Sequence, residues 1–183
     1  EQNTVKAGDL LDEAGYVYAY ANNQYRSKNF EYLEFTMLVN NENEPKATMA
    51  KMIAQWLRDI GIKVTLNSVS YDEYLRQLRS GSYDLYLGEV KLSANMSLSS
   101  FFTQGGNTSY GINTDSATAK AYHDFMAGKT DISTFIQVFN SEKPFIPLLF
   151  REGMAYYSRE LTYEDSVNEY ELFANIYSWS VTD

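Results

Sequence analysis

Apolar positions fall into two alternating rhythms through the first half of the chain. Over residues 32–39, Leu33, Phe35, Met37 and Val39 recur at every second position, the period of a strand with one face buried. Leu38 interrupts the alternation and predicts cover on both faces. Pro45 then pre-sets a first helical turn, and Ala47, Ala50, Ile53, Leu57 and Ile60 line one side of a helix that Gly61 ends. Ile62, Val64 and Leu66 alternate as a second strand. Ser70, with Glu73 three positions on, predicts a capping box for a helix carrying Tyr71, Tyr74, Leu75 and Leu78 and stopping at Gly81. Residues 83–87 form a third short strand. Strands separated by single helices run parallel with right-handed crossovers, so residues 32–88 read as a βαβαβ unit.

The flanks are less regular. Residues 5–14, with Val5, Leu10, Leu11 and Ala14 apolar and Gly15 as the stop, form a short helix, and a polar loop rich in Asn and Tyr runs on to about residue 30. After the third strand comes a polar loop over residues 91–113, then a helix over 117–126 ended by Gly128. Asp131 caps another, whose apolar face is Ile132, Phe135, Ile136, Val138 and Phe139. Two short strands are expected between residues 144 and 157, broken near Glu152 and Gly153, and residues 172–181 have the content of a terminal strand. The class is α/β, a βαβαβ core with a mixed sheet and flanking helices, in a single domain over residues 1–183.

Composition narrows the function. The chain has 183 residues, 44% of them hydrophobic and 15% aromatic, enough for a sizeable core. A formal charge of −9 leaves no basic surface suited to phosphates, so nucleic acid and anionic membranes are poor partners. There is no cysteine, which removes disulfides, thiol nucleophiles and thiolate metal sites together. No apolar run reaches the roughly 18 residues of a membrane span. The first residue is Glu1 with no leader before it, and the chain is read as a fragment of a longer protein.

Catalytic chemistry finds little support. His123 is the only histidine and has no second His or Cys at ligand spacing, so triads and metal sites have no basis, and neither metal nor cofactor is expected. Asp72 with Glu73 and Glu164 with Asp165 are neighbours in sequence, as capping or solvated carboxylates are, whereas acid–base pairs converge across a cleft. Gly105-Gly106 lacks the Lys-Ser/Thr ending of a phosphate loop. Met49, Met52 and Met126 read as core packing. What remains is geometry, because open parallel sheets bind ligands beyond the carboxyl ends of their strands. The loops there are residues 40–44, 69–71 and 88–99. They nominate Asn40, Asn41, Glu89, Lys91, Asn95 and Ser97 as ligand-binding, with Tyr110 in the 107–113 loop and Arg151 in a later strand as further candidates.

The series Leu10-Leu11-Asp12-Glu13-Ala14-Gly15-Tyr16, then Phe35 through Asn40, Gly61-Ile62-Lys63-Val64, Gly81-Ser82-Tyr83-Asp84-Leu85 and Pro144-Phe145-Ile146-Pro147-Leu148 resembles, in order and spacing, the second lobe of family 5 solute-binding proteins. These are the peptide, oligopeptide and nickel receptors of ABC importers. The resemblance implies the second lobe of a two-lobed, periplasmic-binding-protein-like clamp, partnered by a first lobe of the same chain and by an ABC permease. It implies no catalysis, and an extracytoplasmic site of action, periplasmic or lipid-anchored at the cell surface. It makes a small solute the ligand, a peptide before others. In peptide-binding relatives the loop after the third strand carries Gly-Trp and then an Asp for the peptide's amino group. Here Gly88-Glu89 stands in place of Gly-Trp and Asn95 near the place of the acid, which keeps a short saccharide or modified peptide as alternatives. A ligand-sensing domain of a transcriptional regulator is the alternative of another class, and a hydrolase is a third.

Overall fold

The computed structural model describes residues 3–150, 156–162, 171, 173 and 175–181. The chain divides into two compact units, residues 1–91 and 92–183, each described by itself.

The first unit opens with helix α1 (Thr4–Glu13), started by Asn3, whose side chain accepts a hydrogen bond from the Lys6 amide at 2.8 Å. Only Leu11 of its apolar residues packs against the core. Within the stretch read as a polar loop, the chain makes a small hairpin of β1 (Ser27–Lys28) and β2 (Glu31–Tyr32). Asn29 and Phe30 turn it with φ of 54° and 67°. Positive φ at both central residues is the turn whose twist matches a tight hairpin, and glycine is its usual signal. With Phe30 there instead, and strands two residues long, neither turn chemistry nor period announces the hairpin.

Strand β3 (Glu34–Asn40), helix α2 (Glu44–Asp59), strand β4 (Lys63–Val69), helix α3 (Tyr71–Ser80) and strand β5 (Leu85–Tyr86) follow in the predicted order. The three strands pair in parallel in the order β4-β3-β5. β5 is shorter than predicted, but its contact with β3 continues at both ends: the Asp84 amide donates to Thr36 O at 3.3 Å and the Leu87 amide to Leu38 O at 3.2 Å. Because β4 lies to one side of β3 and β5 to the other, two right-handed crossovers put α2 and α3 on opposite faces. The double cover that Leu38 predicts follows: Met37, Leu38, Val39 and Asn40 are all buried. On the α2 side Met37, Val39 and Val64 pack with Ala50 and Ala54, whose small side chains let helix and sheet approach. Met49 joins this core, but Met52 and Met126 are about half exposed, contrary to their reading as core. A one-position offset on a helix turns a side chain by about 100°, enough to carry it off the buried stripe.

The capping box at Ser70 does not form. Ser70 is the residue before α3 but its side chain makes no cap bond. Glu73 turns to Arg76 instead, accepting from both Nε and Nη2, and also accepts from Gln77 Nε2 at 2.6 Å. Two bonds to one guanidinium, which pair opposite charges, outweigh a single bond from the backbone amide to the carboxylate.

A buried arginine ties this unit together. Arg26 Nε donates to Ile60 O at 2.9 Å, Nη1 donates to Tyr16 O at 2.9 Å and pairs with Asp12, and the guanidinium lies 4.7 Å from the Tyr18 ring centre. Its backbone amide donates to Gly61 O at 2.8 Å. One side chain thus joins α1, the segment after it and the turn between α2 and β4. Gly61 is confined by the same cluster. Its φ is +91°, and a Cβ there would lie 2.6 Å from Tyr18 Oη and 2.7 Å from Arg26 Cγ.

The second unit contains α4 (Ser99–Phe102), α5 (Ala117–Met126) and α6 (Ile132–Glu142). Ser116 and Asp131 cap α5 and α6 through the amides of Ala119 and Thr134. The core is aromatic: Phe102, Tyr122 and Phe135 are buried, with Phe125, Phe139 and Phe145 packed against them. Phe135 is the buried residue of α6, while Ile132 and Ile136 of the predicted face are about half exposed. Glu142, at the end of α6, accepts from the Thr118 hydroxyl at 2.6 Å and the Thr118 amide at 2.9 Å. Those bonds, the hydroxyl first, hold the Glu142 carboxyl below its ordinary value.

Of the strands expected between residues 144 and 157, none forms over residues 144–150, and Glu152 and Gly153 lie outside the described residues. The tail has a 3-10 turn at Ile176–Ser178 rather than a continuous strand. Among the described residues of the tail, β7 (Ser180–Val181) pairs antiparallel to β6 (Leu161–Thr162).

Gly61 and Gly81 separate backbone strain from contact. Both have positive φ, but a Cβ at Gly81 meets nothing within 4 Å. Gly81→Ala should cost about 1–2 kcal/mol, the left-handed penalty alone, and Gly61→Ala clearly more. Urea unfolding of the two variants checks this, and equal losses would mean that the Tyr18–Arg26 cluster yields without cost.

Candidate functional site

In an open parallel sheet the carboxyl ends of the strands are where chains diverge to opposite faces and leave a crevice. Here that place lies between β3 and β5. Leu38 is registered with Tyr86, and both chains leave the sheet soon after, β3 at Asn40 and β5 through Leu87 into Gly88 and Glu89.

The β3 side is built from asparagines. Asn40 is buried and its Oδ1 accepts from the Glu42 amide at 3.0 Å, which turns the chain toward α2. Asn41 is exposed, and its amide donates to Val69 O at 2.8 Å, tying this loop to the end of β4. Asn43 caps α2 by accepting from the Lys46 amide at 3.1 Å. The β5 side is fixed from the opposite face of the sheet: buried Tyr74, on α3, donates its hydroxyl proton to Leu87 O at 3.0 Å. Across the crevice Lys46 Nζ stands 2.9 Å from Glu89 Oε2, with the side chains 23% and 37% exposed. Tyr71, the first residue of α3, presents a half-exposed ring beside the end of β4.

Of the residues nominated from sequence, Asn40, Asn41 and Glu89 therefore occupy one edge of the first unit. Lys91, exposed, is the last residue of that unit. Asn95, Ser97 and Tyr110 belong to the second unit. Asn95 Oδ1 accepts from Ser93 Oγ at 2.7 Å and from the Ser97 amide at 3.2 Å, so its side chain shapes a turn. Ser97 Oγ lies 3.1 Å from Tyr122 Oη and 2.9 Å from Ser99 Oγ. Tyr110 is half-buried. Arg151 lies outside the described residues. The sequence reading missed Lys46 and Tyr74. Lys46 had a signal, its place in the first turn of the helix leaving the central strand. Tyr74 had none, since a buried tyrosine in an apolar stripe looks like any core aromatic.

This edge can hold a polar ligand through amides, carbonyls and one ion pair. Among the described residues no group of three or more His, Asp or Glu side chains could hold a metal ion, and no helix is long and apolar enough to cross a membrane. His123 Nε2 donates to Phe102 O at 3.0 Å, a bond within the second unit that fixes the ring against α4.

Comparison with known proteins bears on the whole arrangement. Residues 1–112 match the family model described as bacterial extracellular solute-binding proteins, family 5 middle. No curated protein matches the sequence. Among solved structures, the oligopeptide-binding protein AppA of Bacillus subtilis, in complex with a nonapeptide, is similar over 100% of this chain and 38% of its own, with 18% identity and a TM-score of 0.64. NikZ of Campylobacter jejuni, in complex with Ni(L-His), is similar over 98% of this chain and 39% of its own, with 18% identity and a TM-score of 0.67. MelB of Agrobacterium fabrum, in complex with stachyose, is similar over 78% of this chain and 24% of its own, with 16% identity and a TM-score of 0.59. The likeness is one of fold, and the chain spans less than two-fifths of the length of each.

Glu73, in the first turn of α3, provides a check on the electrostatics of the first unit. Its hydrogen bonds to Arg76 and then Gln77 lower its carboxyl from 4.5 to about 2. A carboxyl whose folded value lies below its unfolded value stabilises the fold above the unfolded one, and that stabilisation is lost as pH falls from about 4.5 through about 2. NMR titration of the Glu73 carboxyl should give a midpoint near 2, rising in Arg76→Gln. A midpoint near 4.5 in the parent chain would mean that the ion pair does not persist in water.

Proposed function

The chain belongs to the bacterial extracellular solute-binding proteins of family 5, and from that premise we propose that it is one lobe of a clamp-type receptor that delivers a solute to an ABC permease. The proposed solute is a peptide. The other lobe belongs to the remainder of a longer chain and closes on this one about a hinge. The family is extracytoplasmic, and a periplasmic or lipid-anchored location of the whole receptor is part of the proposal.

The observation that carries this reading is the pair of hydrogen-bonded segments at the carboxyl ends of β3 and β5. The Asn40–Asn43 loop and Leu87–Glu89 segment are each fixed by hydrogen bonds from elements that the sheet itself positions. A receptor needs such fixed polar groups, because groups that order only on binding subtract their lost entropy from the affinity. Peptide amides would meet the exposed Asn41 and the Lys46–Glu89 pair on this edge. In this reading Asn40 shapes the loop, and Asn95 and Ser97 hold a turn of the second unit. A short saccharide is the second reading. The stachyose-bound MelB supports it, as does Tyr71, whose half-exposed ring could stack on a sugar.

The test follows from the clamp. If the complete receptor binds its solute at about micromolar strength, near −8 kcal/mol, and the lobes contribute equally, one lobe keeps about −4 kcal/mol, which is millimolar. The loss of rigid-body freedom is incurred in full however few contacts remain, so the single lobe binds more weakly still. Calorimetry of these residues and of the full receptor with the same peptide should show that gap of a thousandfold or more. Comparable micromolar binding by both would place the whole pocket in these residues and refute the clamp.

The receptor reading also gives Glu89 a specific role. Glu89→Ala in the full receptor should weaken solute binding about tenfold while changing thermal stability little, since half-exposed polar positions contribute little to folding. Unchanged affinity would move the site off this edge.

A further inference from the structure

Glu89 is the carboxylate that β5 delivers to the edge of the sheet, and such a carboxylate is the natural counterpart of a cationic group on a ligand. That place is already taken, because Lys46 Nζ lies 2.9 Å from Glu89 Oε2. The two partners are held independently. Lys46 sits in the first turn of α2, its amide fixed by the Asn43 side chain, while the chain leading to Glu89 is fixed at Leu87 by Tyr74 of α3. The pair therefore joins the first turn of α2 to the segment that leaves β5.

We propose that Lys46 is a specificity residue that occupies the position a solute ammonium would need at Glu89, so that the solute meets this edge through uncharged groups. The inference rests on the reading of this edge as solute-binding. A solute ammonium can reach Glu89 only by displacing the Lys46 ammonium, which exchanges one ion pair for another, or by joining it, which leaves an uncompensated positive charge. Neither route rewards the cation. An amide or hydroxyl leaves the pair intact and brings no charge that the pair would have to balance. A peptide bound here is then held by its backbone amides, with its free amino end elsewhere.

The experiment compares the full-length receptor with its Lys46→Met and Lys46→Met/Glu89→Gln variants. Methionine keeps most of the aliphatic stem and removes the charge. The probes are two random tetrapeptide pools, one with free amino ends and one N-acetylated, titrated by calorimetry. The parent should bind the two pools within about twofold of each other. Lys46→Met should favour the free-amino pool about tenfold, and the double variant should lose that preference. Thermal unfolding of all three proteins confirms that each is folded. A parent that already favours free amino ends tenfold overturns the proposal, and so does a Lys46→Met variant that gains no preference. The latter result, with the parent binding both pools, leaves the peptide reading standing. A parent that binds neither pool, with Lys46→Met binding the free-amino pool, refutes the peptide reading and supports the role of Lys46. Binding of neither pool by either protein overturns both.

Discussion

Strand β3 is hydrogen-bonded along both edges, and its second half is buried on both faces. A strand in that position has no solvent side to which a polar residue can be turned, which is why Met37, Leu38 and Val39 are a continuous apolar run. The remaining features of the first unit follow from it. Its two neighbours lie on opposite sides, so the helices that connect the strands lie on opposite faces, and the loops that leave β3 and β5 share one edge. The polar residue that closes the run, Asn40, is buried only because its side chain turns back onto the Glu42 amide. The candidate edge is thus the point at which the most buried strand of the unit becomes able to expose polar groups.

The two units solve the problem of a core in different ways. The first uses aliphatic side chains and alanines between a sheet and a helix, where flat surfaces need small contacts. Among its described residues the second has few sheet hydrogen bonds and packs interlocked rings. Phe102, Tyr122 and Phe135 meet at centroid distances of 5.3–5.9 Å, in tilted and edge-on arrangements that favour the charge distribution of aromatic faces and edges. The Tyr122 hydroxyl also accepts from the Leu98 amide at 3.0 Å, so one ring serves both the apolar core and the loop before α4.

The βαβαβ order was legible because its signals are repeated along each element: period two in β3, period near four in α2, and glycine at both helix ends. The family resemblance drew on this stretch together with residues 10–16 and 144–148, and the family model matches over residues 1–112. What was hidden depends on partners far away in sequence. Arg26 reads as one charged residue in a polar loop, and only folding shows that it joins α1 to the turn at Gly61. The Ser70–Glu73 spacing is right for a capping box, yet Arg76, one turn further on, offered Glu73 the stronger bond. At the candidate site, strand order told which loops leave the carboxyl ends of the strands and so nominated Asn40, Asn41 and Glu89, which lie on one edge of the first unit. It could not tell that a lysine from the neighbouring helix already answers Glu89.

The bonds from Thr118 to Glu142 join residues 24 apart in sequence. The first amides of a helix have no partner within it, and α5 obtains one of its partners from the last turn of α6. That turn exists only after the second helix has formed and docked, since its place is set by the rings between the two helices. The amino terminus of α5 is therefore completed by tertiary structure, through a side chain that its own local sequence does not contain.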